Sequence, residues 1–301
     1  MATEPYIAIA DLGFSYAQGT RPALTGITLT VEQGEYVGVI GLNGAGKTTL
    51  GLCLNGIIPH MLMGEQTGTI AVAGKDPGVV PVREMARIVG MVFDNPEFQM
   101  SQVTAAEEVA LGLENLGVPY ADMVVRVAEA LAIVGLTGYD ERSPMGLSGG
   151  QQQRLAIAST LAMKPSILFM DEPTSNLDPI GKEEVFEIAR RLNRDEGMTI
   201  IVAEHEVEVL AEYADRIIVL HEGRIALQGT PTEVFSQVDT MAALGLRVPQ
   251  VTEFAYRIAG LGAGPVADPG ARAGTAPGLT SPVAQLPVKL STAIEWVGAR
   301  G

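Results

Sequence analysis

An apolar run, YVGVI (36–40), passes directly into GLNGAGKTTL (41–50), a stretch with three glycines, two threonines and one cation. The run reads as a short buried strand, and the glycines end it in a tight turn. A helix is expected to start inside that turn and to continue to about Asn55. Three more short apolar runs follow: SILFM (166–170), TIIVA (199–203) and RIIVL (216–220), the first two separated by a charged helical stretch at 181–196. Strands that alternate with helices build a mainly parallel sheet with helices on its faces.

Other segments extend this frame. Residues 6–40 alternate apolar and polar positions with turn signals at Gly19, Gly26 and Gly34, which predicts an antiparallel β region ahead of the buried strand. A further β segment is expected at 68–73. Thr104, three residues before Glu107, forms a capping box for a helix over 104–117, and another helix is expected at 121–135. Residues 261–288 are rich in Gly, Pro and Ala, carry only Asp268 and Arg272 as charges, and read as a linker before a short last helix at 291–300.

The single cation in the glycine turn has a chemical reason. Gly41, Gly46, Lys47 and Thr48 fit G-x-x-x-x-G-K-[ST], a phosphate-binding loop. Glycines let the backbone wrap closely so that amide groups face an anion, and the following helix adds the positive end of its dipole. Asn43, Gly44, Ala45, Gly46, Lys47, Thr48 and Thr49 line such a cradle, Lys47 reaching the outer phosphates and Thr48 a Mg²⁺ ion. The strand in SILFMDEP ends in Asp171 and Glu172. A strand end beside the loop puts Asp171 on Mg²⁺, directly or through water, and Glu172 in place to polarise an attacking water. LSGGQQQR (147–154) is a second anion cup, built from the Ser148 hydroxyl and the amides of Gly149 and Gly150 at a helix start. One copy has little use for two such cups. Two copies head to tail do, each serine-glycine-glycine turn closing over the other copy's nucleotide.

With these motifs in this order, residues 5–235 resemble the ATP-binding cassette (ABC) family, whose signature is LSGGQQQR. The resemblance implies an α/β P-loop NTPase cassette over 5–240. It would comprise a mainly parallel sheet, an antiparallel β subdomain and a helical subdomain at about 97–160, with a C-terminal extension at 241–301. It implies ATP hydrolysis with ATP and Mg²⁺, Glu172 acting as base, Lys47 on the phosphates, and His205 in VAEHE as the switch histidine. By the same resemblance, Gln151 belongs to the nucleotide-binding signature, Asp178 in SNLDP crosses to a partner cassette, and Tyr16 in GFSY stacks on adenine. Asp94 departs from the family's usual glutamine. An ionised aspartate is shorter and only accepts hydrogen bonds, so it is expected to take the Mg²⁺ contact, directly or through water. His60 and His221 fit no such slot.

Within the family, LNGIIPH (54–60), VFDNPEFQ (92–99) and EEVALGLENLGVP (107–119) resemble the ATPase subunits of energy-coupling-factor importers for vitamins and transition-metal ions. That implies a second ABC ATPase subunit, identical or paralogous. It also implies an integral membrane subunit docked beside the 94–103 loop, a substrate-binding membrane subunit, and a place at the cytoplasmic face of the cell membrane. The alternatives are another ABC importer or exporter ATPase, or a soluble cassette protein of ribosomes or DNA repair. The latter usually join two cassettes or carry basic or zinc-binding insertions. This chain has one cassette, one cysteine (Cys53) and a net charge of −15. That charge disfavours nucleic acid, whose backbone must be neutralised by cations. A lone cysteine excludes an intrachain disulfide and fits a reducing compartment. The N-terminus lacks a signal-peptide pattern, and the uncharged run 48–64 falls short of the ~20 residues needed to span a bilayer, so the chain itself is expected to be soluble.

Overall fold

The computed structural model describes residues 4–259, 286–289 and 291–293. The expected linker therefore lies outside the described residues as far as 285, and the expected last helix lies outside them beyond 293. Strands β1 (Ile7–Tyr16) and β2 (Leu24–Val31) pair antiparallel. β3 (Tyr36–Ile40) is buried at every position and leads through the glycine turn into α1 (Lys47–Leu54). After the four-residue α2 (Ile57–His60), β4 (Gly64–Val72) pairs antiparallel with β1 and closes a three-stranded sheet of order β2-β1-β4. β4 starts four residues ahead of the position the sequence suggests. Gly64 to Thr67 pair with Tyr16 back to Gly13, although their polar side chains give no apolar signal.

The short α3 (Val82–Met85) precedes β5 (Val89–Val92). Three helices follow: α4 (Ala105–Asn115), α5 (Tyr120–Ile133) and α6 (Gly149–Ala162). The capping box of α4 forms as expected. Thr104 Oγ1 accepts from the Glu107 amide at 3.2 Å, and Glu107 Oε2 accepts from the Thr104 amide at 3.1 Å. The chain then alternates: β6 (Ile167–Asp171), α7 (Pro179–Glu196), β7 (Thr199–Ala203), α8 (Val207–Tyr213), β8 (Arg216–His221) and β9 (Arg224–Gly229). The second sheet has the order β5-β6-β7-β3-β8-β9; its pairs are parallel except β8–β9.

Strand alternation divides the apolar side chains between two cores. Val37, Val39, Phe169 and Ile201 join the antiparallel sheet and α1, whereas Tyr36, Ile40, Leu168 and Ile200 join the helices. The parallel arrangement matters most for the site. It delivers the C-terminal ends of β3, β5, β6 and β7 to one edge of the sheet, where ligand crevices form in open α/β sheets. The residues just past those ends are the glycine turn, Asp94, Glu172 and His205.

Three helices close the described C-terminal part, α9 (Pro231–Phe235), α10 (Val238–Ala243) and α11 (Gln250–Ile258). Residues 286–288 pack against them: Leu286 and Val288 are buried, and Thr252 Oγ1 donates to the Pro287 carbonyl at 2.8 Å.

Candidate functional site

The glycine turn takes its shape from two close constraints. Gly46, the residue ahead of α1, sits at φ +106°, in the left-handed region where a side chain is strained. Gly51, one turn into α1, lies so close to β6 that a Cβ there would be 2.5 Å from the Phe169 ring. The helix start is thus pressed onto the strand that ends in Asp171. Between them lies a cleft of about 460 Å³ lined by Asn43 through Thr49, Phe93, Asp94, Asp171 and Glu172.

Lys47 is buried in this cleft. Its Nζ donates to the Gly41 carbonyl at 2.9 Å and lies 3.0 Å from Glu172 Oε1. The same Glu172 oxygen is 2.9 Å from His205 Nε2. A carboxylate oxygen only accepts, so Nε2 carries the proton of that bond, and its 3.4 Å approach to Lys47 is a contact between donors. Burial pushes the Glu172 carboxyl up. Lys47 and His205 outweigh that effect and leave it below the usual glutamate range. Glu172 also holds φ +47°, a left-handed conformation costing a non-glycine residue roughly 1–2 kcal/mol. Its amide donates to the Ala203 carbonyl at 2.8 Å, and its carbonyl accepts from the Ser175 amide at 3.2 Å.

Asp171 is buried, and its Oδ1 has no hydrogen-bond partner. Burial raises its carboxyl; the Thr48 hydroxyl bonded to it and the Lys47 charge oppose the rise, and the charges of Glu172 and Asp94 add to it. An unpaired carboxylate oxygen next to a hydroxyl, with a second carboxylate on the same cleft, fits a hard divalent cation that also takes phosphate oxygens. Asp94 is exposed on the bend after β5. Gln99, five residues on, is occupied: its Oε1 accepts from the Phe93 amide at 3.3 Å.

The second anion cup does not line this cleft. Ser148 caps α6, its Oγ accepting from the Gln151 amide at 3.4 Å while Gln151 Oε1 accepts from the Ser148 amide at 3.0 Å. That cap uses a lone pair of the hydroxyl and leaves its proton, with the Gly149 and Gly150 amides, available to an anion. Gly149 borders a neighbouring hollow with Asp94, Asn176 and Leu177. Gln151 Nε2 reaches the Tyr139 hydroxyl at 3.4 Å. Asp178 caps α7, its Oδ1 accepting from the Gly181 amide at 2.7 Å. Tyr16 stands beside the loop, its hydroxyl 3.0 Å from Thr49 Oγ1 and its ring edge-on to Phe14. His60 Nε2 meets the Pro77 carbonyl at 3.1 Å, away from the cleft.

Three residues around the site escape the sequence reading. Phe93 lines the cleft, and Thr174 and Glu204, both buried, bond to each other behind Glu172. Phe93 is one apolar residue among many. The only local signal for Glu204 is an acidic residue directly after an apolar strand.

Residues 24–175 match the family described as ABC transporter. The chain is 43% identical over 269 residues to the energy-coupling factor transporter ATP-binding protein EcfA1 of Symbiobacterium thermophilum, covering 85% of this chain and 90% of that one. Among solved structures it is similar to CbiO1 of Clostridium perfringens, part of the ABC transporter complex CbiONQ. The TM-score is 0.70 at 31% identity, over 84% of this chain and 99% of that one. It is also similar to the ATP-binding cassette MJ0796, a dimer in a post-hydrolysis state bound to ADP and Pi. There the TM-score is 0.66 at 26% identity, over 75% of this chain and 98% of that one.

Proposed function

The chain belongs to the ABC transporter family as an ATPase with the ATP-binding cassette fold, and we propose that it powers an energy-coupling-factor importer for a vitamin or a transition-metal ion. The observation that carries the chemistry is the placement of Glu172 Oε1 between Lys47 Nζ and His205 Nε2, at 3.0 and 2.9 Å, on the glycine-loop cleft. The loop amides and Lys47 hold the triphosphate, with Tyr16 beside the base. Thr48, Asp171 and Asp94 would hold Mg²⁺, which when bound would neutralise charge on the phosphates. Glu172 accepts the proton of the attacking water, and His205 orients both. Lys47 holds the Glu172 carboxyl down. As the lysine charge turns to phosphate, Glu172 becomes the stronger base.

A second cassette, identical or paralogous, completes each site by supplying Ser148, Gly149, Gly150 and Gln151, with Asp178 at the shared interface. Support comes from the location of the serine-glycine-glycine turn outside its own chain's cleft and from the dimeric relative. ATP draws the two together, and hydrolysis releases them. The importer reading is supported by the energy-coupling factor relative and by CbiO1's place in a transporter complex. Among the described residues no helix is long and apolar enough to cross a membrane. In this reading the chain works through an integral membrane subunit at the cytoplasmic face, docked beside the 94–103 loop, where Phe98 and Val103 are 88% and 77% exposed. A substrate-binding membrane subunit selects the solute.

Co-expression with the membrane subunits tests this. Wild type should co-purify from membranes and turn over ATP. Glu172→Gln should co-purify too, retain ATP in a closed pair of cassettes and lose turnover by at least about 100-fold, the scale of a general base. Full turnover by the variant removes Glu172 from the base role, and absence from the membrane fraction removes the transport reading.

A further inference from the structure

β6 and β7 are neighbours in register, Asp171 opposite Ala203, so the residues just beyond them, Glu172 and Glu204, leave the sheet side by side. Glu204 is only 2% exposed, and its amide donates to the Val39 carbonyl at 3.1 Å, which fixes its backbone to β3. Its carboxyl is used on both oxygens. Oε1 accepts from the hydroxyl of Thr174, a fully buried residue two positions past Glu172, and Oε2 accepts from the His205 amide at 3.0 Å. One side chain thus ties the turn after β6 to the segment after β7. That turn needs a tie, because Glu172 holds a left-handed conformation that relaxes unless its surroundings over-determine it.

We propose that Glu204 is a positioning residue for hydrolysis, its buried carboxyl fastening the Glu172 turn to the His205 segment and so holding the two side chains 2.9 Å apart. The inference rests on Glu172 and His205 being the hydrolytic pair. A carboxyl enters such a site only where its oxygens are satisfied. Burial pushes it above the usual glutamate range, the Thr174 hydroxyl and the His205 amide pull it back, and the charges of Glu172 and Glu206 push it further up. The Tyr36 hydroxyl, buried and without a hydrogen-bond partner among the described residues, also feels the Glu204 charge.

Two variants of the full chain separate positioning from folding. Glu204→Gln keeps the shape and one of the two acceptors; Glu204→Leu removes both. With ATP, KM is expected to stay within about twofold, while kcat falls at least about tenfold in Glu204→Leu and less in Glu204→Gln, the pattern of an interaction that acts in the transition state. Glu172→Gln and His205→Ala are run beside them. If those two abolish turnover while folded Glu204 variants match wild type, the inference is overturned and the hydrolytic pair stands. A joint loss of ATP binding and kcat also overturns it, since the carboxyl would then support the cleft as a whole. Full turnover in the two controls overturns the pair itself. Should Glu204→Leu fail to fold, Glu204→Gln decides alone.

Discussion

Asp94 stands where the family resemblance leads one to expect a glutamine, and its surroundings show what an aspartate there alters. The bend that carries it is fixed from the residue before: the Phe93 amide donates to Gln99 Oε1 and the Phe93 carbonyl accepts from Gln153 Nε2, each at 3.3 Å. The side chain at 94 is therefore not needed to shape the bend. Asp94 and Asp171 share one cleft, and the charge of Asp94 makes an ionised Asp171 costlier. A divalent cation bound there would remove that cost and gain two ligands. Asp94→Ala should then raise the Mg²⁺ needed for half-maximal hydrolysis about tenfold, equivalent to roughly 1.4 kcal/mol. Asp94→Gln, which restores a neutral oxygen, should lose less. Equal rates and equal Mg²⁺ dependence in wild type and both variants would take Asp94 out of the metal site.

Among the elements, α4 and α6 start with the same device and put it to different use. Each has a hydroxyl residue ahead of the helix and a long side chain three residues on, bonded reciprocally. Thr104→Ala and Ser148→Ala should each cost about 1 kcal/mol in thermal or urea unfolding. Hydrolysis should fall only in Ser148→Ala, because the proposed anion cup uses that hydroxyl's remaining proton. Equal hydrolysis in the two variants would reduce the Ser148 motif to a helix cap. Such caps are legible in the sequence because they are local, as are the glycine turn with Lys47 and the apolar runs that end beside Glu172 and His205. The start of β4 is not legible, because Gly64–Thr67 form a polar stretch without an apolar side chain that becomes a strand by pairing with β1. β9 is missed for a related reason. It is an edge strand without a fully buried residue and depends on β8. Thr174 and Glu204 are thirty residues apart, and only the β6–β7 register brings them together.

At the scale of the whole molecule, the C-terminal elements brace both ends of α8, the helix that follows His205. Lys289 Nζ donates to the Glu212 carbonyl at 2.9 Å near the end of α8, and the Gln250 amide to Glu208 Oε1 at 3.4 Å. Leu286, whose amide donates to Ser236 Oγ at 3.3 Å, and Val288 are buried there, and Val288 belongs to the helical core. Truncating both to alanine removes apolar contacts worth about 2–5 kcal/mol at the leucine alone. The segment can also undock locally, which caps the loss at its own docking free energy. The double variant Leu286→Ala/Val288→Ala should therefore melt only about 5 °C lower, with faster amide exchange in α8, α9 and α11. Its hydrolysis at 25 °C should match wild type, because His205 precedes α8 and is held by Glu172 and Glu204. A drop in kcat with unchanged melting would instead make the brace part of the hydrolytic site, transmitting through α8 to His205.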